Sequence, residues 1–410
     1  VLLGELGSNL TGAPAHLHGL AGVGVAFNVC HAFVKYGREN GIGAQDTDLR
    51  EFLDLVALGT VADIVPLLEE NRSLVSYGLQ VLSRQHRPGV RALCELSRLQ
   101  EGIDTGDITF RLAPRLNAAG RLGNAGQAFD LLHARNTTDA YRLASALDER
   151  NRERQEIEHR VLESAEEQIL SLGDLSGRQS LIVCGDQWHQ GVIGIVASRL
   201  VRKYSRPSIV LTHDPDGRLC GSGRSVRDIN LITLLERCSE YLHRYGGHAM
   251  AAGLALAPEH LDAFSGAFED AVGRVFGTFS TKPTLEISGL IELAELDESV
   301  FSEMEALAPF GHSNPEPVFA SRAVRPERVL AAGKNHSRGT LLDSRGARHS
   351  FIFFGTPPDD LPPVPWDIAY TPHLNRYNGS VKPQLKLLNV RMHTATLAAE
   401  MVERNGCGER

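Results

Sequence analysis

The sequence predicts an α/β chain that ends in a small β module, and three observations carry that reading. Over roughly the first third of the chain, apolar helix-type runs alternate with short strand-type ones. A long charged helical stretch follows, with Glu149, Glu153 and Glu156 interleaved with Arg150, Arg152, Arg154 and Arg160. Beyond Lys282 the texture changes to short β-type runs separated by proline and glycine.

Taken in order, residues 21–33 and 71–83 read as helices, and 53–62 as a buried strand or helix-to-strand element. The charged helix runs over about 138–170 as a connector whose pairs suit an exposed surface, and Gly173 and Gly177 mark its end. Strands are expected at 181–184 and 208–211, flanking a helix at 192–204, in a second α/β unit that reaches about residue 278. The β module should hold strands at 285–287, 318–320, 340–343, 349–354, 367–370 and 384–390, and 394–410 reads as a helical or frayed tail.

With 410 residues and 42% hydrophobic content the chain can build two or three domains with real cores. No apolar run reaches the length of a membrane span and the start carries no signal-peptide pattern, so a cytoplasmic protein is expected. The six cysteines show no C-x-x-C pairing, which argues against a zinc site or a disulfide framework. The net charge of −8 is unevenly spread: residues 284–305 hold seven acids and no Lys or Arg, whereas 321–391 hold eleven Lys and Arg against five acids. Local potential governs contact with a phosphate backbone, so the basic module is a candidate nucleic-acid surface, or else an ordinary solvated face.

Four segments carry candidate chemistry. Tyr245-Gly246-Gly247-His248-Ala249 joins bare backbone to one histidine, which suits close approach of a phosphate; the alternative is a tight turn before an Ala-rich strand, with His248 merely satisfied. Cys220-Gly221-Ser222-Gly223-Arg224-Ser225-Val226-Arg227 combines glycines, hydroxyls and guanidiniums as a phosphate-gripping loop would. Arg115, Asn117 and Arg121 stand among small and apolar residues, where a guanidinium needs either an anionic ligand or a structural acid. Asp63 interrupts an apolar run ahead of Pro66; buried there, it would coordinate a cation, cap a helix or pair with a base.

In this order, and with Leu20-Ala21-Gly22-Val23-Gly24, Trp188-His189-Gln190-Gly191-Val192-Ile193-Gly194, Pro309-Phe310-Gly311-His312 and Asp367-Ile368-Ala369-Tyr370, the segments resemble the RecJ family of single-strand-specific 5′→3′ exonucleases, within the DHH phosphoesterases. The resemblance implies the rest of a DHH phosphoesterase domain over 1–137, the connecting helix over 138–170, a DHHA1-type α/β domain over 171–280 and an OB-type barrel over 281–395, with a tail at 396–410. The family's Asp-x-Asp and Asp-His-His motifs are not found ahead of Leu20; Asp46-Thr47-Asp48 has the first spelling but reads as solvated loop or helix cap.

By resemblance, Asp63 is a ligand of a two-metal Mn²⁺ or Mg²⁺ centre, and the only one of the family's ligands that can be carried over. Arg115, Asn117 and Arg121 border that centre, while His189, Ser222, Gly223, Arg224, Ser225, Gly246, Gly247 and His248 hold the substrate. Lys334, Arg338, Arg376, Lys382 and Lys386 are candidates for a track along single-stranded DNA; Phe351, Phe353, Tyr370 and Tyr377 could stack bases or pack a core. The resemblance further implies a role in DNA repair and recombination, with single-stranded DNA, a single-strand-binding protein and a helicase as partners. The 410-residue chain alone is expected to bind rather than cleave.

Overall fold

The computed structural model describes residues 19–43, 46–99, 102–226, 229–276, 284–333, 335–377 and 380–394, with the backbone alone at 276, 376, 377 and 380. Lys334, Arg227 and the tail from 395 lie outside the described residues, as do the side chains of Arg376 and Tyr377. Two compact units form: Val1–Gln80 with Leu285–Arg410, and Val81–Thr284.

In the first unit, α1 (Gly22–Asn40), α2 (Leu53–Ala62) and α3 (Glu69–Ser83) pack through glycine. A Cβ at Gly59 of α2 would stand 2.8 Å from the Val23 side chain, and one at Gly78 of α3 only 2.3 Å from the Leu53 carbonyl oxygen. The element expected to be strand-like at 53–62 is helical throughout. Leu53, Val56, Ala57, Leu58 and Val61 are buried around the whole of α2, and a helix covered on all sides loses the periodicity that would announce it. Asp63 caps its C-terminus, exposed to solvent, so the burial that would have forced a partner on it does not exist. Asp48 does cap a helical turn, accepting the Arg50 amide at the start of Leu49–Phe52.

The same unit holds the β module. Strands β7 (Phe319–Ala331), β8 (Ser337–Leu342), β9 (Arg348–Phe353), β11 (Ser380–Met392) and β10 (Trp366–Tyr377) pair in that order, and β10 returns to β7 to close a five-stranded barrel. The short β6 (Gly289–Leu290) adds parallel to β7. No strand forms at 285–287, where Leu285 and Ile287 are 45% and 38% exposed and alternation buries nothing. Phe351, Trp366, Ile368, Tyr370, Leu385 and Leu387 fill the barrel with Phe301 from α11 (Glu298–Leu307). Phe351 and Tyr370 are therefore core residues rather than stacking platforms, and Phe353 packs against the same core. The Tyr370 hydroxyl shares a hydrogen bond with Ser321, and burial pushes its pKa up to about 12. The Leu67 amide donates to the His312 carbonyl, and Arg72 to that of Leu307, tying the helices to the segment ahead of β7.

In the second unit, α4 (Pro88–Leu96), α5 (Ala113–Leu122) and α6 (Gly126–His133) surround the first half of α7 (Thr137–Ser171). A five-residue π-helical turn, Ile108–Leu112, leads directly into α5. The second half of α7 packs on a five-stranded sheet of order β1 (Leu181–Gly185), β2 (Ser208–His213), β3 (Leu219–Arg224), β5 (Ala251–Leu256), β4 (Leu242–His248). Only β1 and β2 run parallel, joined by α8 (Gln190–Tyr204). One sheet face is covered by α7 and α8 through Val161, Ala165, Val183, Val196 and Val210; the other by α9 (Leu231–Arg237) and α10 (Leu261–Phe276) through Ile209, Leu234, Phe264 and Phe268.

The connector helix departs from its expected exposed character. Asp148, Arg154 and Glu158 are buried in it. Glu158 accepts from Arg154 one turn earlier and forms an ion pair with Arg199 of α8, each at 2.5 Å, while Arg154 also donates to Asn151. Asp148 takes Arg115 of α5 and Arg152 at 2.8 and 2.7 Å. These pairs stitch α5 and α8 to α7, which an apolar stripe could not do with the same register. Glu158→Ala would leave the buried Arg154 without its counter-charge, and urea unfolding should show a loss of about 3 kcal/mol. Removing the exposed His159–Glu163 pair with Glu163→Ala should change stability by no more than about 0.5 kcal/mol.

Candidate phosphate-binding cleft

Strand register decides which side chains meet. Residues paired across a sheet face the same side, and neighbours along a strand alternate. On the face shared with α8, three rows run across β3, β5 and β4: Arg224, Ala251 and His248; Ser222, Gly253 and Gly246; Cys220, Ala255 and Arg244. Helix α8 covers the β1–β3 side of this face, and α10 never reaches it, so the β5 and β4 portion is a bare floor of glycine and alanine. A Cβ at Gly246 would meet nothing within 4 Å, and one at Gly253 only the Gly221 carbonyl oxygen at 3.9 Å.

The walls are basic. A cleft of about 690 Å³ is lined by Arg121, Gln190, Gly191, Gly194, Cys220, Ser222, Arg224, Arg244, Tyr245 and Gly246, with Gly120, Ile193, Gly221, Gly253 and Leu254, and no carboxylate among them. The first turn of α8 faces it, and the positive end of the helix favours an anion there, although the Gly191 and Val192 amides are taken up by His189. Close approach is again glycine's work: a Cβ at Gly191 would stand 2.2 Å from the Arg121 carbonyl oxygen, and one at Gly194 would stand 3.0 Å from both the Arg224 guanidinium and the Ser222 hydroxyl.

Arg121 donates to the Gly191 carbonyl at 3.3 Å, and Arg224 to the Ser222 hydroxyl and the Gly223 carbonyl at 2.8 Å. Withdrawal from water lowers the pKa of both guanidiniums; the field of Arg154 adds to this at Arg121, and the field of Arg121 adds to it at Arg224. The exposed Arg121 and the half-buried Arg224 thus line one cleft with no carboxylate in its lining, and with the Ser222 hydroxyl held by Arg224 they favour an anionic guest.

Of the residues singled out in the sequence, Arg121, Ser222, Arg224 and Gly246 meet in this cleft, and His248 lies on the same face in the Arg224 row. The segments around Ser222 and Gly246 are strands, not loops, because cross-strand pairing satisfies their amides. That alternation turns Gly223 and Gly247 to the opposite face, Gly223 against Leu231. Ser225 is buried and donates to the Ile229 carbonyl, a structural role. Arg115 belongs to Asp148, so its acid partner is structural; Asn117 is exposed one turn before Arg121, outside the cleft lining. His189 caps α8, its Nδ1 accepting the Gly191 amide. Arg244 and Gly253 join the cleft through the period-two alignment of β3, β5 and β4, and Gln190 and Gly194 through the first turns of α8; none of the four was named as a site residue from the sequence.

On the barrel, Arg338, Ile352 and Lys386 form one outward row across β8, β9 and β11, with Lys382 exposed on the same side of β11. Lys386 is not wholly free, since Glu316 lies 3.8 Å from its Nζ.

Two family models match the chain: the DHHA1 domain over residues 178–274 and the RecJ OB domain over 287–389. The single-stranded-DNA-specific exonuclease RecJ of Escherichia coli (strain K12) is 37% identical over 393 residues, covering 90% of this chain and 67% of that protein. The chain belongs to the RecJ family. The Bacillus subtilis (strain 168) RecJ is 34% identical over 382 residues, 90% of this chain and 46% of the relative. The chain thus spans about half to two thirds of the length of the curated RecJ relatives it matches. Crystal structures of Thermus thermophilus RecJ in complex with Mg²⁺ and with Mn²⁺ superpose with a TM-score of 0.76 at 28% and 29% identity, covering 94% and 96% of this chain and 58% and 55% of those chains.

Among the described residues no group of three or more His, Cys, Asp and Glu is placed to hold a metal ion. No helix among them is long and apolar enough to cross a membrane.

The open floor yields a clean steric test. Gly253→Val places a β-branched side chain in a strand with room for it, so thermal unfolding should be unchanged while affinity for 5′-phosphorylated oligothymidylate falls at least about tenfold. Gly247→Val, at φ 143° and with its Cβ 2.4 Å from the Ala251 carbonyl oxygen, should instead lower the melting temperature.

Proposed function

We propose that this chain holds single-stranded DNA by its 5′ end, as the substrate-gripping part of a RecJ-type exonuclease. The observation that carries the reading is that two guanidiniums, Arg121 and Arg224, line one cleft with the Ser222 hydroxyl and a glycine floor, with no carboxylate in the lining. A terminal phosphate offers acceptors to all three groups, and bidentate contact with Arg fixes its orientation. The barrel row of Arg338, Lys382 and Lys386 adds contacts that follow the backbone irrespective of sequence.

The reaction of the complete enzyme is phosphodiester hydrolysis: water adds to phosphorus, and the bond to the leaving oxygen breaks, releasing a nucleotide. Asp63, exposed where α2 ends, is assigned to the metal-bearing side of that reaction. One carboxylate cannot hold two divalent ions, each of which takes about six oxygen donors. The second reading, a non-catalytic single-strand-binding chain, draws support from the same contrast of a built anion cleft and no metal grouping among the described residues. A role in DNA repair and recombination in the cytoplasm, with a single-strand-binding protein and a helicase as partners, is part of the proposal on family grounds.

Binding is measured by fluorescence anisotropy in EDTA on 5′-phosphorylated and unphosphorylated oligothymidylate. Arg224→Ala should weaken the phosphorylated strand alone by about tenfold or more, whereas Lys382→Ala weakens both alike. Equal losses for Arg224→Ala would remove the 5′ phosphate from the cleft. Release of mononucleotide from 5′-labelled single strands with Mn²⁺ should be negligible for the chain alone. Robust, chelator-sensitive release would mean that the chain carries a working centre, and Asp63→Ala should then abolish it while leaving binding intact.

A further inference from the structure

The cleft is larger than a terminal phosphate needs, and its third guanidinium is unaccounted for. A water molecule's share of liquid volume is about 30 Å³, and a phosphate is worth a few of these; the cleft holds about 690 Å³. Arg244 lines it from β4, the edge strand of the sheet, at a register shift between Leu242 and Arg244. Bulges re-aim side chains and recur beside functional sites. Arg244 is exposed, and among the described residues no carboxylate lies within ion-pair distance of it.

The rows give the spacing. Arg224 pairs with Ala251 and Arg244 with Ala255, four residues apart along β5, or about 13 Å. The Arg224 guanidinium folds back to the Ser222 hydroxyl, one row closer to the Arg244 row. Ser222 and Arg244 thus stand one row apart along the strands and two strands apart across the sheet, about 7 and about 10 Å, which leaves Arg244 placed for a second anionic group beside the one held by Ser222 and Arg224. Between them the floor is Gly253, Gly246 and Ala255, over which a sugar and its linkage can lie flat, and the bordering Cys220 is kept a neutral thiol by burial, with Arg244 opposing.

We propose that Arg244 binds the phosphate of an internucleotide linkage downstream of the 5′ end, so that the cleft takes a 5′-phosphorylated dinucleotide unit of single-stranded DNA rather than a terminal phosphate alone. This rests on the reading of the cleft as a phosphate site. It makes Arg244 a specificity residue: the site distinguishes a strand end, which carries a second phosphate at a fixed distance, from a free mononucleotide.

The test uses the 410-residue chain in EDTA with 5′-phosphorylated oligothymidylate carrying one neutral methylphosphonate at the first, second or third linkage. The wild-type chain should lose about tenfold in affinity at one of these linkages. Arg244→Gln, a change at an exposed edge position, should lose the same amount on the unmodified strand, become indifferent to that linkage, and keep the preference for a 5′ phosphate. The proposal is overturned if Arg244→Gln discriminates among the linkages as the wild-type chain does, or if it loses the 5′-phosphate preference instead. Failure of the underlying reading looks different: the wild-type chain then ignores the 5′ phosphate and Arg224→Ala is silent.

Discussion

The cleft depends on a carboxylate that never touches it. Glu158 is 2% exposed, accepts from Arg154 on its own helix and forms an ion pair with Arg199 on α8. That arrangement fixes α8 against α7, and α8 in turn presents its N-terminus and Gly194 to Ser222 and Arg224. A buried ion pair is a poor source of net stability, but breaking one is costly, and the geometry it enforces is narrow. Arg154 also projects its charge onto Arg121, an effect that Glu158 partly offsets.

The second constraint is the absence of side chains. Gly246, Gly253, Ala251 and Ala255 leave one half of a sheet face uncovered, and Gly191 and Gly194 let α8 come to within contact of α5 and β3. A helix or sheet that buries bulky residues gains more from the hydrophobic effect; here that gain is given up in favour of a surface to which a flat polar ligand can lie close. The opposite sheet face, filled by Leu231, Leu234, Phe264 and Phe268, supplies the stability that the bare face does not.

Much of this architecture is legible in the residue order. The long helix, the strands at Leu181 and Ser208, the β-rich last quarter and the family motifs all follow from local patterns, and Arg121, Ser222, Arg224 and Gly246 were visible as anion-binding types. What misled was burial. The run from Leu53 to Ala62 has no period because α2 is covered all round, and the charges of α7 look solvated because their partners Arg115 and Arg199 come from elsewhere in the chain.

The sequence by itself determined which residue types could grip a phosphate and which family of chains shares them, because glycine, hydroxyl and guanidinium chemistry is a property of the residues. Only the tertiary structure decided which of those residues meet in one cleft. Strand parity turns Ser222 and Arg224 toward the cleft and Gly223 away from it; an acid 33 residues distant claims Arg115; and cross-strand register brings in Arg244, which no local pattern marks. Pairing partners and sheet register are set by contacts remote in sequence, so the identity of a site residue is local chemistry while its membership of the site is not.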